Sequence, residues 1–152
     1  MLENRLHEMG LALPPAAEPA FQYVAVTLHG GIAYVSGQLP KVDGTVRLTG
    51  KVGADVTLEQ AQDAARICIL QGLACLTEAL GRSDRISRIL KITGFVASAP
   101  GFNDQPKVLD AASFLLVDAL GDAGRHARSA VGVAELPRNA PVEIEMIVAI
   151  SD

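Results

Sequence analysis

The sequence predicts an α+β domain in which two helices pack on one face of a mixed β-sheet. Two observations lead to this class. Five separate runs have the composition or the alternation of β-strands, and two long stretches carry apolar residues at helical spacing. These segments follow the order β-β-α-β-α-β-β along the chain. A length of 152 residues fits one domain, residues 1–152, of which residues 1–15 form a short N-terminal helix and a linker.

The first part of the domain is predicted to hold the short helix and a β-hairpin. Residues 2–9 carry apolar side chains at positions i, i+4 and i+7, which predicts a helix that packs along one side. Residues 23–28 and 32–36 are strand-like and flank the sequence His29-Gly30-Gly31. Two adjacent glycines between such runs are typical of a tight hairpin turn.

The two long helices have recognisable ends. Thr57 and Gln60 have the spacing of a capping box, so the first long helix is predicted to begin there and to end at Gly81. The second helix is predicted to begin after Asp104 and to end at Gly121. Small residues recur along the first helix, and they allow its axis to lie close to a sheet: Ala64, Ala65, Cys68, Gly72 and Cys75.

The remaining strands are predicted at residues 85–97, 129–136 and 142–150. We expect the last two to adjoin each other. Alternation places Arg128 beside the small residue Ala130 on one face of its strand, and it places Glu143 on the polar face of the next strand. An arginine with open space before it suits a two-pronged grip on a carboxylate, and a glutamate nearby suits proton transfer. An ordinary surface ion pair explains the same pattern.

Composition restricts the classes of partner. The net charge is −4 with no run of Lys and Arg, which argues against a nucleic acid partner. No apolar run reaches the length of a membrane span, and no signal peptide is visible. A mean hydropathy of +0.29 with 20% charged residues predicts an oligomer. The two cysteines, Cys68 and Cys75, are expected to be buried thiols of a cytoplasmic protein. The histidines lack metal-ligand spacing, so no metal site is predicted.

Four pieces of the sequence together resemble the Rid family of reactive-intermediate imine/enamine deaminases, also called the YjgF family and often labelled L-PSP endoribonuclease. They are Tyr34-Val-Ser-Gly-Gln-Leu-Pro40, Gly50-Lys-Val-Gly53, His126-Ala-Arg-Ser-Ala-Val131, and Leu136-Pro137 followed by Val142-Glu-Ile-Glu145. The resemblance covers roughly residues 21–150. Within the family, the sequence is most similar to a divergent branch.

The resemblance implies a chorismate-mutase-like fold and a homotrimer whose sheets form a central β-barrel. It also implies active sites in the clefts between subunits. The reaction implied is the hydrolysis of 2-imino or 2-enamino acids, such as 2-aminoacrylate, to 2-keto acids and ammonia. No cofactor and no metal are implied. The expected partner is therefore a small 2-imino or 2-keto carboxylate.

Site residues follow from the same resemblance. Arg128 would bind the substrate carboxylate, Glu143 would hold the attacking water, the carbonyl of Ala130 would orient that water, and Tyr23 would line the site. An alternative is a non-catalytic trimer that binds a small carboxylate or has a regulatory role. An endoribonuclease is the second alternative, and the scattered histidines and the negative charge disfavour it.

Overall fold

A computed structural model describes residues 1–152 and shows a five-stranded sheet with helices on one face. The helices are α1 Leu2–Glu8, α2 Leu58–Leu80 and α3 Gln105–Leu120. The strands are β1 Val26–His29, β2 Ile32–Gln38, β3 Lys41–Val42, β4 Thr45–Val46, β5 Ile86–Ala97, β6 Ala127–Val133 and β7 Val142–Ile150. The predicted α+β class with a mixed sheet is confirmed.

The order of strands in the large sheet is β1-β2-β7-β5-β6. Strand β5 pairs with β6 in parallel, whereas the other neighbours are antiparallel. The expectation that the last two strands adjoin is wrong, because β5 lies between β6 and β7. Helix α3 connects β5 to β6, and a crossover helix of this kind joins parallel neighbours.

Local sequence explains the turns and helix ends. Gly30 and Gly31 both adopt positive φ, as the two-residue turn between β1 and β2 requires. Thr57 accepts a hydrogen bond from the Gln60 backbone, and the Gln60 side chain accepts one from the Thr57 backbone, so the predicted capping box is confirmed. Gly81 ends helix α2 in the left-handed conformation.

Close approach between the helices and the sheet depends on glycine. An added Cβ atom at Gly94 of β5 would lie 2.4 Å from Leu109 Cδ1 of helix α3. A Cβ at Gly72 of helix α2 would lie 2.5 Å from Met146 Cε of β7. At these two positions a side chain of one layer therefore packs directly against the glycine backbone of the other layer. Leu2 and Leu6 of α1 join this core, which confirms the predicted packing helix.

Three boundaries differ from the sequence-based prediction. Strand β1 begins at Val26, so Tyr23 lies before it in an irregular segment. Strand β6 covers Ala127–Val133, two residues earlier than predicted, and places Arg128 within the strand. The turn at Asp43-Gly44 joins two short strands, β3 and β4, that the sequence pattern does not predict. No helix is both long and apolar enough to cross a lipid bilayer.

Candidate active site

A cavity of about 300 Å³ opens where the irregular segment before β1 meets the end of β2 and the loop before β7. Its lining includes Tyr23, Ser36, Gly37, Arg138 and Glu143. The volume lies at the lower end of the range for small-molecule sites. Apolar and charged side chains both face the space, which suits a small polar ligand.

Glu143 supplies a carboxylate to this cavity. Its strand neighbours Val142 and Ile144 are buried against the helices, so alternation directs Glu143 to the opposite face of the sheet. Burial raises the pKa of the Glu143 carboxyl, and the nearby Glu145 carboxylate raises it further. A carboxyl with a raised pKa exchanges a proton more readily near neutral pH than an exposed one.

Gly37 makes the space that the Glu143 side chain occupies. A Cβ atom added at residue 37 would lie 2.1 Å from Glu143 Oε1, far inside contact distance. Gly37 lies in an irregularity of the β2–β7 pairing between Val35 and Gln38. The Ser-Gly-Gln part of the sequence motif therefore shapes the site through backbone geometry and the absence of a side chain.

Tyr23 lines the same cavity and is 52% exposed. The segment that carries it is tied to β2 by Ser36, whose hydroxyl donates to the Val24 carbonyl across 2.9 Å and whose backbone N–H donates to the Ala25 carbonyl across 2.9 Å. The structure thus brings together two of the predicted site residues, Tyr23 and Glu143, although they are 120 positions apart in the sequence.

Arg128 lies on the edge strand β6 and is held by helix α3. Its Nη1 atom donates to Asp110 Oδ1 across 2.9 Å and to Ser113 Oγ across 3.2 Å. These two bonds use both hydrogens of Nη1. The Nε–Nη2 edge of the guanidinium has no hydrogen-bond partner within the chain. That edge can bind a carboxylate with two parallel hydrogen bonds.

His126 extends this network. Its Nδ1 lies 2.6 Å from the Gly124 carbonyl, which only accepts hydrogen bonds, so Nδ1 carries the proton. The Nε2 atom is then an acceptor for the Ser113 hydroxyl, 2.9 Å away. Burial lowers the pKa of His126, and the Arg128 charge lowers it further, so the neutral ring is favoured. His126 therefore orients the Ser113 hydroxyl, and that hydroxyl accepts a hydrogen bond from Arg128. The sequence pattern did not identify Ser113 as part of the site.

The carbonyl of Ala130 faces the open edge of the sheet. Strand β6 is outermost, and the Val133 carbonyl accepts from Ser98 on the side of β5. Because backbone groups of successive residues point in opposite directions, the carbonyls of residues 128, 130 and 132 point away from β5. The Ala130 carbonyl is therefore available to a molecule that docks at this edge.

One chain does not bring Arg128 and Ala130 together with Glu143. Arg128 is in register with Ile92 of β5, which in turn pairs with Met146 of β7, and this row faces the helices. Glu143 pairs with Phe95, which is in register with Val131, and this row faces away from the helices. The expectation of Arg128 beside Glu143 on adjacent strands is thus wrong within a single chain.

Two cations of the cavity were also missed by sequence reasoning, namely Lys41 and Arg138. Arg138 and Asn139 both have positive φ, at 57° and 54°, which is uncommon for residues other than glycine. The available signal was the sequence Pro137-Arg138-Asn139 immediately before the strand of Glu143.

The other candidate groups occupy structural positions. Cys68 and Cys75 are free and buried in helix α2, as predicted, and burial raises the pKa of both thiols. No group of three or more His, Cys, Asp and Glu side chains is placed to hold a metal ion.

Comparison with known proteins gives a consistent result. Residues 3–149 match the family model described as "YjgF/chorismate mutase-like, putative endoribonuclease". Protein TCP17 of Trypanosoma cruzi is 44% identical over 148 residues, which cover 97% of this chain and 92% of that protein. The 2-iminobutanoate/2-iminopropanoate deaminase of Dermatophagoides farinae is 31% identical over 140 residues, which cover 92% of this chain and 94% of the deaminase.

Solved structures agree with these matches. The crystal structure of Atu1372 from Agrobacterium tumefaciens, a protein of unknown function, has a TM-score of 0.92 and 48% identity, with 99% of this chain and 92% of that chain covered. The structure of Escherichia coli TdcF with bound serine has a TM-score of 0.63 and 29% identity, with 90% of this chain and 94% of that chain covered. Both comparisons span nearly the whole domain.

Proposed function

Because this chain belongs to the YjgF/chorismate mutase-like family, we propose that it is a hydrolytic deaminase of reactive 2-imino and 2-enamino acids. The observation that carries the proposal is the Glu143 carboxyl, which lies in a small cavity beside Tyr23 and has a raised pKa. The 31% identity to a 2-iminobutanoate/2-iminopropanoate deaminase supports this reaction class.

The chemistry asks little of the protein. Water adds to the electrophilic imine carbon, and Glu143 accepts a proton from that water and transfers it to the nitrogen, which gives a neutral carbinolamine. The carbinolamine hydroxyl then gives up its proton as the nitrogen takes up a second one. The C–N bond then breaks, so the products are one 2-keto acid and one ammonia for each imine and water consumed. An imine is already reactive, and correct positioning with one proton relay suffices.

The second half of the proposed site comes from a neighbouring subunit. Arg128 and the Ala130 carbonyl lie at the edge strand β6, whereas Glu143 and Tyr23 lie at a separate cavity. We propose a homotrimer with a central β-barrel, in which the β6 edge of one subunit faces the Glu143 cavity of the next. The Arg128 Nε–Nη2 edge would then hold the substrate α-carboxylate, and the Ala130 carbonyl would accept a hydrogen bond from the water.

The site favours a deaminase over a ribonuclease. His126 is bonded at both ring nitrogens, and its pKa is lowered, so it lacks a free nitrogen for acid–base work on a phosphodiester. The net charge of −4 opposes binding of a polyanion. Arg128 would also serve in a non-catalytic carboxylate-binding trimer, and measurement of turnover separates that alternative from the deaminase.

The test measures ammonia and keto acid released from freshly generated 2-aminoacrylate and 2-iminobutanoate. Glu143→Gln should lower kcat/KM by about 100-fold or more, as expected for loss of a general base. Arg128→Ala should raise KM by about tenfold or more, as expected for loss of a charge-assisted carboxylate contact. Glu78→Gln and Arg125→Ala remove equal charges at exposed positions and should retain wild-type activity.

Each outcome has a defined meaning. Turnover lost selectively in the two site variants supports both the reaction and the assignment. Full activity in Glu143→Gln would overturn the role of the carboxyl. Absence of turnover in the wild-type protein, together with thermal stabilisation by 2-ketobutanoate that Arg128→Ala abolishes, would replace the deaminase with a carboxylate-binding trimer.

A further inference from the structure

The basic residues of the chain are unevenly paired. Of the 13 Lys and Arg residues, eight form ion pairs with carboxylates. Arg85 donates to the main-chain carbonyls of Ser151 and Leu80. The four that remain have no protein partner for their side chains, and two of them, Lys41 and Arg138, line the Glu143 cavity. Half of the unpaired cations therefore lie at this one cavity.

Hydrogen bonds hold the backbone at or next to both Lys41 and Arg138. The carbonyl of Lys41 accepts from the buried Gln71 side chain across 2.9 Å. The loop of Arg138 is anchored by the carbonyl of Asn139, which accepts from the Gly50 backbone N–H across 2.9 Å. Positive φ at two successive non-glycine residues has a free-energy cost, and strained backbone of this kind clusters at functional sites.

The charges at the cavity also indicate what kind of ligand it takes. Its acidic members are Glu143, which the proposed reaction uses, and Glu18, which is exposed. Neither forms an ion pair with Lys41 or Arg138. The guanidinium of Arg138 therefore keeps all five donors, and these match the geometry of a carboxylate.

We propose that Arg138, assisted by Lys41, binds a second, distal carboxylate of the substrate, so that the preferred substrates are 2-imino dicarboxylic acids. This inference rests on the proposed function, which assigns the α-carboxylate to Arg128. The distal group then lies at the opposite side of the reacting carbon, on the wall of the cavity formed by the loop before β7. Arg138 is in this scheme a residue that determines specificity.

The experiment compares two imines that differ only in the distal carboxylate. An amino acid oxidase generates 2-iminosuccinate from aspartate and 2-iminopropanoate from alanine in the assay mixture. The wild-type protein should hydrolyse 2-iminosuccinate with a kcat/KM at least tenfold higher than that for 2-iminopropanoate. Arg138→Gln should lose this preference, because KM should rise at least fivefold more for the dicarboxylic imine than for 2-iminopropanoate. Arg138→Lys should retain part of the preference.

The matched control is Arg66→Gln, which removes the same charge from an exposed position of helix α2. It should leave the preference unchanged. If Arg138→Gln lowers kcat/KM for both imines equally, or if the wild-type protein shows no preference between them, the inference is overturned while the deaminase proposal stands.

A binding measurement separates failure of the inference from failure of the proposed reaction. Succinate and propionate are stable probes that require no turnover, and calorimetric titration gives the affinity of each. Binding of succinate that exceeds propionate and depends on Arg138 supports the distal carboxylate site, even if no imine is hydrolysed. Equal affinity for the two probes, unchanged in Arg138→Gln, counts against it.

Discussion

Arg128 on strand β6 donates to Asp110 on helix α3 across 2.9 Å, so the arginine assigned to the substrate carboxylate already contacts one carboxylate of its own chain. The Arg128 side chain is 24% exposed and that of Asp110 is 48% exposed. The contact orients the guanidinium, and it also offsets part of the charge that would attract a substrate.

Two substitutions of Asp110 separate orientation from charge. Asp110→Asn keeps an oxygen that accepts from Arg128 but removes the competing charge, so KM for a 2-imino acid should fall by roughly threefold, or about 0.6 kcal/mol. Asp110→Ala removes the acceptor as well and should raise KM. Steady-state kinetics at constant ionic strength checks both values. Identical KM values for the two variants would contradict this separation.

The neighbouring carboxylate Glu145 raises the pKa of the proton acceptor Glu143. Burial is the main cause of the raised pKa of Glu143, and repulsion from Glu145 adds to it. Glu143 acts when deprotonated, so activity rises as pH rises through its pKa. Glu145→Gln removes the repulsion, lowers that pKa, and should move the acidic limb of the kcat/KM profile to lower pH. A limb that stays in place, or moves upward, would show that another group limits activity.

Gly37 should be essential for the position of Glu143. Its φ angle is not positive, so the backbone accepts alanine, but the new Cβ would overlap the Glu143 carboxyl at 2.1 Å. Gly37→Ala should therefore displace Glu143 and lower kcat/KM by about 100-fold, with circular dichroism unchanged. The double variant with Glu143→Gln provides the control. It should be no less active than Glu143→Gln alone, and a further loss would point to another role for Gly37.

Glycine at position 94 should be required for stable packing of helix α3 on strand β5. A Cβ at this residue would lie 2.4 Å from Leu109 Cδ1, and the Leu109 side chain is fully buried. Gly94→Ala should reduce the free energy of unfolding by about 1–3 kcal/mol, as measured by urea denaturation. Leu109→Ala in the same chain should restore part of that loss relative to the sum of the single substitutions. Additive effects would mean that the two residues do not contact.

Local signals account for the parts of the structure that were predicted well. Thr57 with Gln60 determines the start of helix α2, and Gly81 determines its end, because the backbone groups at a helix terminus are satisfied by residues a few positions away. The hairpin at Gly30-Gly31 depends on positive φ within two residues. The family resemblance, carried by short motifs, likewise predicted the fold, and the match of residues 3–149 confirms it.

Local patterns do not predict which distant segments lie next to each other in the folded chain. Alternation in the sequence predicts that Arg128 and Glu143 occupy polar positions of strands. The insertion of β5 between β6 and β7, however, depends on which strand pairs the crossover helices permit. The register of β5 with both neighbours puts Arg128 on the helix face and Glu143 on the other face, because their rows are three residues apart along β5. Likewise Tyr23, Gly37 and Arg138 meet at one cavity because chain folding joins distant segments, and alternation along one strand carries no information about such contacts.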